Sequence, residues 1–477
     1  MQSLLRRKAI PASHELPEHH RLARTLSWPH LMAMGVGAIV GTGILTLIGV
    51  GADRAGPAVL WSFAVAGVIC ACAALAYAEM ATAIPASGSA YTYSYAVLGE
   101  IFAWFVGWSL ILEYSLVVST VAVGWSGYAN GFLIGLGVHL PDALVHGPVV
   151  EGGALTRFGV NLPAVFIIAV VAGMLMRGTH ESARVNSALV VLKLVTLSLF
   201  VAVAAPHFDS ANLQPFAPHG YGSTPGEGGV KYGMLGAAAI IFFAFYGFDA
   251  ISTAAEETRN PDRDLPIAIV GSMAACTAIY IVVATAAVGA VHYTQFGKSA
   301  EPLALILRTV GSPGVATIVA GAAVLALPTV ILGFLYGQSR IFMVMARDGF
   351  LPESLARVSA RGVPARITGV TALFVAAIAA LLPLDLIASL ANAGTLCAFI
   401  AVALCVLILR RREPEARPAF RTPLAWLVCP IAILGCLYLF TGLQAITQKS
   451  FFVWNAVGLL FYLFYARHRG LAGGKPA

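Results

Sequence analysis

Gly35-Val36-Gly37-Ala38-Ile39-Val40-Gly41-Thr42-Gly43-Ile44 lies within the first long apolar run of the chain. Four of these ten residues are glycine, and a glycine inside a helix costs about 1 kcal/mol relative to alanine. A helix written this way is expected to unwind near Gly41–Gly43. Non-helical backbone at membrane depth is tolerated only where protein or a water-filled cavity covers it. Unwinding frees N–H groups on one half-helix and C=O groups on the other. The first suit a carboxylate, the second an ammonium or another cation. Gly37-x-x-x-Gly41 also suits close helix packing, so this stretch alone leaves both readings open.

A second stretch favours the break. Phe242-Phe243-Ala244-Phe245-Tyr246-Gly247-Phe248-Asp249-Ala250 places Gly247 in mid-run with a carboxylate two residues on. Asp249 is costly on an unbroken helix facing lipid. At the start of a new half-helix it can cap free N–H groups and favour the positive dipole end, or act directly on a ligand. A break near Ala244–Gly247 follows.

The rest of the chain says how these two stretches are used. Of 477 residues, 59% are hydrophobic and only 11% charged, against about 25% charged in soluble domains. Apolar runs occur near 30–51, 57–83, 101–131, 161–177, 185–206, 233–256, 266–292, 314–346, 366–384, 386–410, 423–444 and 451–467. Each is long enough for a helical crossing, and none alternates as a barrel strand would. The interrupted runs are the first and the sixth, matching places in two five-span halves. That pattern points to inverted repeats around a midplane binding site.

Of the 29 cations, 22 fall on the side of the N-terminus and six on the other, leaving Lys193 within a span. The bias orients both termini to the cytoplasm and accounts for Arg410–Arg412 as a topology anchor rather than a nucleic-acid contact. No cleavable signal peptide is expected before Trp28. The organisation expected is a cytoplasmic tail 1–29, a first five-helix repeat 30–206, an external loop 207–232, a second five-helix repeat 233–410, and 411–477 holding the last two transmembrane helices and a cytoplasmic tail.

The stretches Gly35–Ile44, Tyr77–Tyr95, Glu181–Lys193, Phe242–Pro266 and Gly337–Pro352 together resemble the amino acid–polyamine–organocation (APC) superfamily of transporters. The similarity is to bacterial relatives of the cationic amino acid transporters. It implies an all-α membrane protein with a LeuT-type fold, a 5+5 inverted repeat with broken helices 1 and 6, and about twelve transmembrane helices. It also implies secondary transport of amino acids. By this resemblance the substrate carboxylate meets the amides of Thr42 and Gly43 beside Gly41. The ammonium lies near carbonyls of Ile39, Phe243 and Tyr246, with Ala244 and Gly247 completing the break.

Ionisable groups inside spans are functional candidates. Lys193 sits too deep to reach the interface easily, about 12 Å at 1.5 Å per residue. Burial makes an ammonium costly, so a lysine there is able to release and regain a proton. In sodium-coupled relatives of this fold a cation binds near the same helices, and the resemblance suggests that Lys193 replaces it. Glu113 in the third span either shares this proton path or holds neighbouring helices. Glu79 is expected at the interface. The run Glu256–Asp264 reads as a solvated loop, with ion pairs to Arg340 or Arg347 as its functional alternative.

Phe334 departs from the cationic transporters, where the aligned position is small and hydroxylated. A large ring shortens the side-chain pocket and favours small or medium neutral L-amino acids, unless Phe334 faces lipid or packs between helices. The function expected is proton-coupled import by alternating access. The alternatives are an exchanger of the same fold or a cationic amino acid transporter. No catalytic residues, metal site or cofactor are expected beyond the coupling proton, because the eleven histidines lie in tails, loops or span ends. A channel would show rings of polar residues and often oligomeric repeats; a single pair of broken helices suits one occluded site better. The expected partners are the amino acid and the lipid bilayer; a small accessory membrane subunit is left open.

Overall fold

The computed structural model describes Arg7 and residues 26–466, apart from 87, 152–153, 178–182, 227–228, 256–257, 353, 355–364 and 416–417. Among these, ten helical stretches are long and apolar enough to cross a membrane. The two shorter apolar helices Leu162–Met176 and Ala365–Leu381 raise the number to twelve. The short pair pack on each other.

The first span is Trp28–Ile39 followed by Thr42–Leu45 and Leu47–Ala55. The second is Val59–Ala83, the third Glu100–Gly135, the fourth Leu162–Met176 and the fifth Ala183–Ala204. The sixth is Met234–Ile241, a 3-10 turn Phe242–Phe245, then Phe248–Ser252. The seventh is Pro261–Ala290, and the eighth is Pro313–Ala326 with Pro328–Arg347. The ninth to twelfth are Ala365–Leu381, Leu384–Arg412, Ala425–Gly442 and Ala445–Phe461. We call the side on which the first span begins the basic face.

Each of the first four spans packs on its counterpart five spans later: the first on the sixth, second on seventh, third on eighth and fourth on ninth. This pairing is what a pseudo-two-fold relation between the halves gives for spans near its axis, and with the two broken helices it fits the LeuT-type fold. Small residues permit the approach. An added Cβ on Gly35 would lie 2.8 Å from Ser272 Oγ on the seventh span.

The segment 207–232 forms 3-10 turns and a hairpin of Thr224–Pro225 with Lys231–Tyr232. It is pinned on the first span's far end, where Ala58 N–H donates to Phe216 O and Gly233 N–H to Arg54 O, both at 2.8 Å. Arg54 is therefore more than a topology marker. Its side chain is buried and meets Asp385 at 3.4 Å.

Glu79 corrects an expectation. It is 1% exposed rather than interfacial. Its carboxylate accepts from Arg410 Nε and Nη2, both at 2.8 Å, and from Thr422 N–H at 2.8 Å. Arg410 also donates to Thr422 O at 2.9 Å. A bidentate pair is geometrically specific, and here it ties the second span to the tenth and to the segment before the eleventh. Removing one partner of a buried pair strands the other. We expect Glu79→Gln to lower stability by about 2–3 kcal/mol, allowing for the partial exposure of Arg410. The check is the thermal midpoint of the purified protein in detergent; an unchanged midpoint would remove the latch.

Candidate functional site

The first break lies at Val40–Gly41, not across Gly41–Gly43. Val40 leaves the helix with ψ 96°, and Gly41 takes φ −151°, ψ −145°. Thr42–Leu45 is already helical, so the Thr42 and Gly43 amides sit in the first turn of a new half-helix, where N–H groups have no intrahelical acceptor. Glycine at 43 serves packing instead: an added Cβ there would overlap the Ala244 backbone. The last bond of the preceding helix is Val40 N–H to Val36 O at 2.8 Å, so the break strands the carbonyls that follow Val36.

Two of those carbonyls have named partners. Gly37 O accepts from Lys193 Nζ at 2.7 Å, and Nζ also donates to Thr329 Oγ1 at 3.1 Å. Thr329 stands at the start of Pro328–Arg347, just past the interruption in the eighth span. Ile39 O accepts from Tyr280 OH at 2.7 Å, and the same hydroxyl donates to Ala244 O at 2.9 Å. One tyrosine of the seventh span thus bridges both breaks.

The second break follows the turn Phe242–Phe245. Tyr246 is extended, with ψ 153°, and Gly247 is left-handed at φ 112°. A Cβ on Gly247 would lie 2.6 Å from Ala38 Cβ, so the two breaks meet at this glycine. Asp249 Oδ1 accepts from Gly247 N–H at 3.2 Å, and Oδ2 accepts from Tyr114 OH at 3.3 Å. Its observed contacts are those of a cap with a tyrosine partner. Tyr246 OH donates to Asn392 Oδ1, whose Nδ2 reaches Ala239 O at 2.6 Å.

Phe334 faces neither lipid nor open water: it is 3% exposed, with its ring 5.4 Å from that of Tyr114. It lines a cavity of about 170 Å³ with Gly37, Ala38, Ala250, Thr329 and Gly333, extending to Leu26 on the basic face. Phe334 therefore faces a space between the first, sixth and eighth spans, and the two breaks touch where Gly43 packs on Ala244 and Gly247 on Ala38.

The family described as amino acid permease matches residues 26–464. The chain belongs to this family. It is similar to the branched-chain amino acid permease BcaP of Bacillus subtilis (strain 168), 44% identical over 447 residues and 94% of both chains. It is similar over 99% of both chains to the methylthioribose transporter of the same organism, at 39% identity. The vacuolar cationic amino acid transporter 2 of Arabidopsis thaliana is 36% identical over 88% of this chain and 65% of its own. The family and these relatives are transporters, and the permease is a multi-pass membrane protein.

Glu113 of the permease is 1% exposed, and its Oε2 has no partner among the described residues. An added Cβ on Gly394 of the tenth span would lie 3.0 Å from Glu113 Cβ. Its neighbourhood is thus the third and tenth spans and Asp249, whereas Lys193 is held between the first and eighth. Glu256 and Glu257 lie outside the described residues, as do the Arg340 and Arg347 side chains. The neighbouring Arg259 N–H donates to Leu26 O at 2.8 Å, joining the two broken spans at the basic face. Tyr280, Asn392, Tyr114 and Thr329 were missed in the sequence. All are uncharged, and a search for intramembrane charge passes over them. A polar tip deep in an apolar run, which needs a partner when buried, was the available signal.

Proposed function

We propose that this permease imports small to medium neutral L-amino acids, branched-chain ones foremost, by proton-coupled alternating access. We place it in the cell membrane with the basic face in the cytoplasm. The carrying observation is the junction of the two breaks at Gly247 and Ala38; on this reading the first-turn amides of Thr42 and Gly43 meet the substrate carboxylate, and the ammonium lies near the carbonyls of Ile39, Phe243 and Tyr246. Such a junction suits the head group shared by all α-amino acids and leaves the side chain to Phe334 and its cavity. Similarity to BcaP supports the branched-chain preference, and the positive bias of the basic face supports the orientation. Lys193 on the stranded Gly37 carbonyl supports proton coupling.

Uptake into proteoliposomes tests the reading. Leucine, alanine, arginine and methylthioribose are offered with and without an inward proton gradient, to empty and to leucine-loaded vesicles. Gradient-driven leucine accumulation in empty vesicles is expected. Uptake only into loaded vesicles would make the protein an exchanger. The methylthioribose transporter supports a second reading, and preferential uptake of that thiosugar would replace the first. Phe334→Ser is expected to add arginine uptake about tenfold above wild type, the scale of one buried hydrogen bond gained in a pocket. Unchanged arginine competition in that variant would take Phe334 out of substrate selection.

A further inference from the structure

The third span carries Phe102 and Phe105 on its outer surface, 49% and 40% exposed. Both rings line two separate grooves, one of about 490 Å³ against the twelfth span and one of about 360 Å³ against the tenth. The pair is therefore a ridge with a groove on either side. The third span begins at the basic face, where the tenth and twelfth end, so both grooves lie in the leaflet of that face.

The twelfth-span groove has a rigid apolar wall. Trp104 stacks on Phe461 and Trp108 on Trp454, with interplanar angles of 5° and 23°. The indole N–H groups of Trp104 and Trp108 donate to Gly458 O and Trp454 O, each at 2.9 Å. Asn455, the one amide side chain lining the groove, is paired too. Its Nδ2 donates to Phe451 O at 2.9 Å, and its Oδ1 accepts from Ser109 Oγ at 3.2 Å. A cavity whose polar groups are already satisfied stays dry and takes apolar occupants.

The tenth-span groove ends on a charge. Ile400, Leu404, Ile408 and Arg412 recur every four residues along one helix stripe, and all line this groove. From Ile400 to Arg412 the rise is about 18 Å at 1.5 Å per residue, slightly more than half of the roughly 30 Å hydrocarbon core. The neighbouring arginines are otherwise engaged. Arg410 grips Glu79, and the Arg411 guanidinium lies 5.1 Å from the Trp426 ring centre. Arg412 makes one side-chain hydrogen bond among the described residues, Nη1 to Val97 O at 2.9 Å. That bond holds an exposed guanidinium at the groove mouth with further donors to offer.

We infer that this surface binds one anionic, two-chain phospholipid. One acyl chain lies in each groove, astride Phe102 and Phe105, and the phosphate meets Arg412. Two grooves sharing one wall match a diacyl lipid, and their length matches one leaflet. The arginine adds the charge-assisted bond that selects an anionic headgroup. A helix packed on the ridge would have no use for that guanidinium. The site is independent of which solute the permease carries.

Lipid binding to the delipidated full chain in detergent tests it. The protein is titrated with dioleoyl phosphatidylglycerol or dioleoyl phosphatidylcholine, and bound lipid is counted by native mass spectrometry. One phosphatidylglycerol per chain is expected, held about fivefold more tightly than phosphatidylcholine, the scale of one juxtamembrane arginine. Arg412→Gln should abolish that difference, and Arg412→Lys should keep it. Leu404→Trp fills the tenth-span groove from a position 37% exposed and should weaken both lipids about tenfold. Leu373→Trp on the ninth span, 76% exposed, is the control and should change neither. These positions are on the surface, and the same spectra report the folded particle. Equal affinity for the two lipids, or a preference that survives Arg412→Gln, overturns the site. A two-chain particle that Leu404→Trp dissociates also overturns it, because the ridge would then be an interface between copies.

Discussion

Lys193→Met protein in proteoliposomes is expected to accumulate no leucine under an inward proton gradient while still exchanging leucine across the membrane. A gradient of one pH unit is worth about 1.4 kcal/mol per proton, so the proposed coupling of one proton per leucine would sustain about tenfold accumulation in wild type. The Nζ of Lys193 bonds Gly37 O on the first span and Thr329 Oγ1 on the eighth. A charge-assisted bond is about twice as strong as a neutral one, so protonation tightens the half-helix Trp28–Ile39 against the eighth span and proton loss loosens it. Methionine keeps the length and supplies no donor. Lys193→Arg separates coupling from positioning, because arginine donates but does not release its proton. Retained accumulation in the arginine protein would reduce Lys193 to a fixed brace. Retained accumulation in the methionine protein would remove it from coupling altogether.

Gly247→Ala is expected to abolish leucine binding and transport and to destabilise the protein by about 2–5 kcal/mol. Two costs add. A left-handed backbone costs a non-glycine residue about 1–2 kcal/mol, and Gly247 has φ 112°. Overpacking costs about 1–3 kcal/mol more, because the new Cβ would lie 2.6 Å from Ala38 Cβ and 2.8 Å from the Ala38 carbonyl carbon. Relief requires the two breaks to separate, which also separates the amides from the carbonyls. Gly173→Ala is the control: a Cβ there meets nothing within 4 Å, and alanine is the better helix former by about 1 kcal/mol. Binding by the Gly247→Ala protein at wild-type affinity would dissolve the proposed junction.

The two helix interruptions were legible because their causes are local. Glycine density weakens a helix wherever it occurs, and Asp249 announces a helix start within one turn. The position of the first break was legible only to within two or three residues. Gly41 and Gly43 read alike in the sequence, yet one terminates a helix and the other makes room for Ala244. Glu79 was misplaced for a related reason. Depth along a span says where a carboxylate sits, while its partner Arg410 lies 331 positions away. The branched-chain and the thiosugar relative both match along nearly the whole chain, so overall similarity does not choose between ligands.

By itself the sequence determined the class of the molecule, its twelve crossings, the charge bias between its faces and the helices that break. These follow from transfer free energies and backbone propensities, which act within one segment. The tertiary structure alone decided which groups answer the stranded carbonyls. Lys193 reaches Gly37 across 156 positions and Tyr280 reaches Ile39 across 241. It also decided that Phe334 looks inward. Hydrogen bonds and cavity walls are made between segments, and only the packing of one repeat against the other brings them within bonding distance.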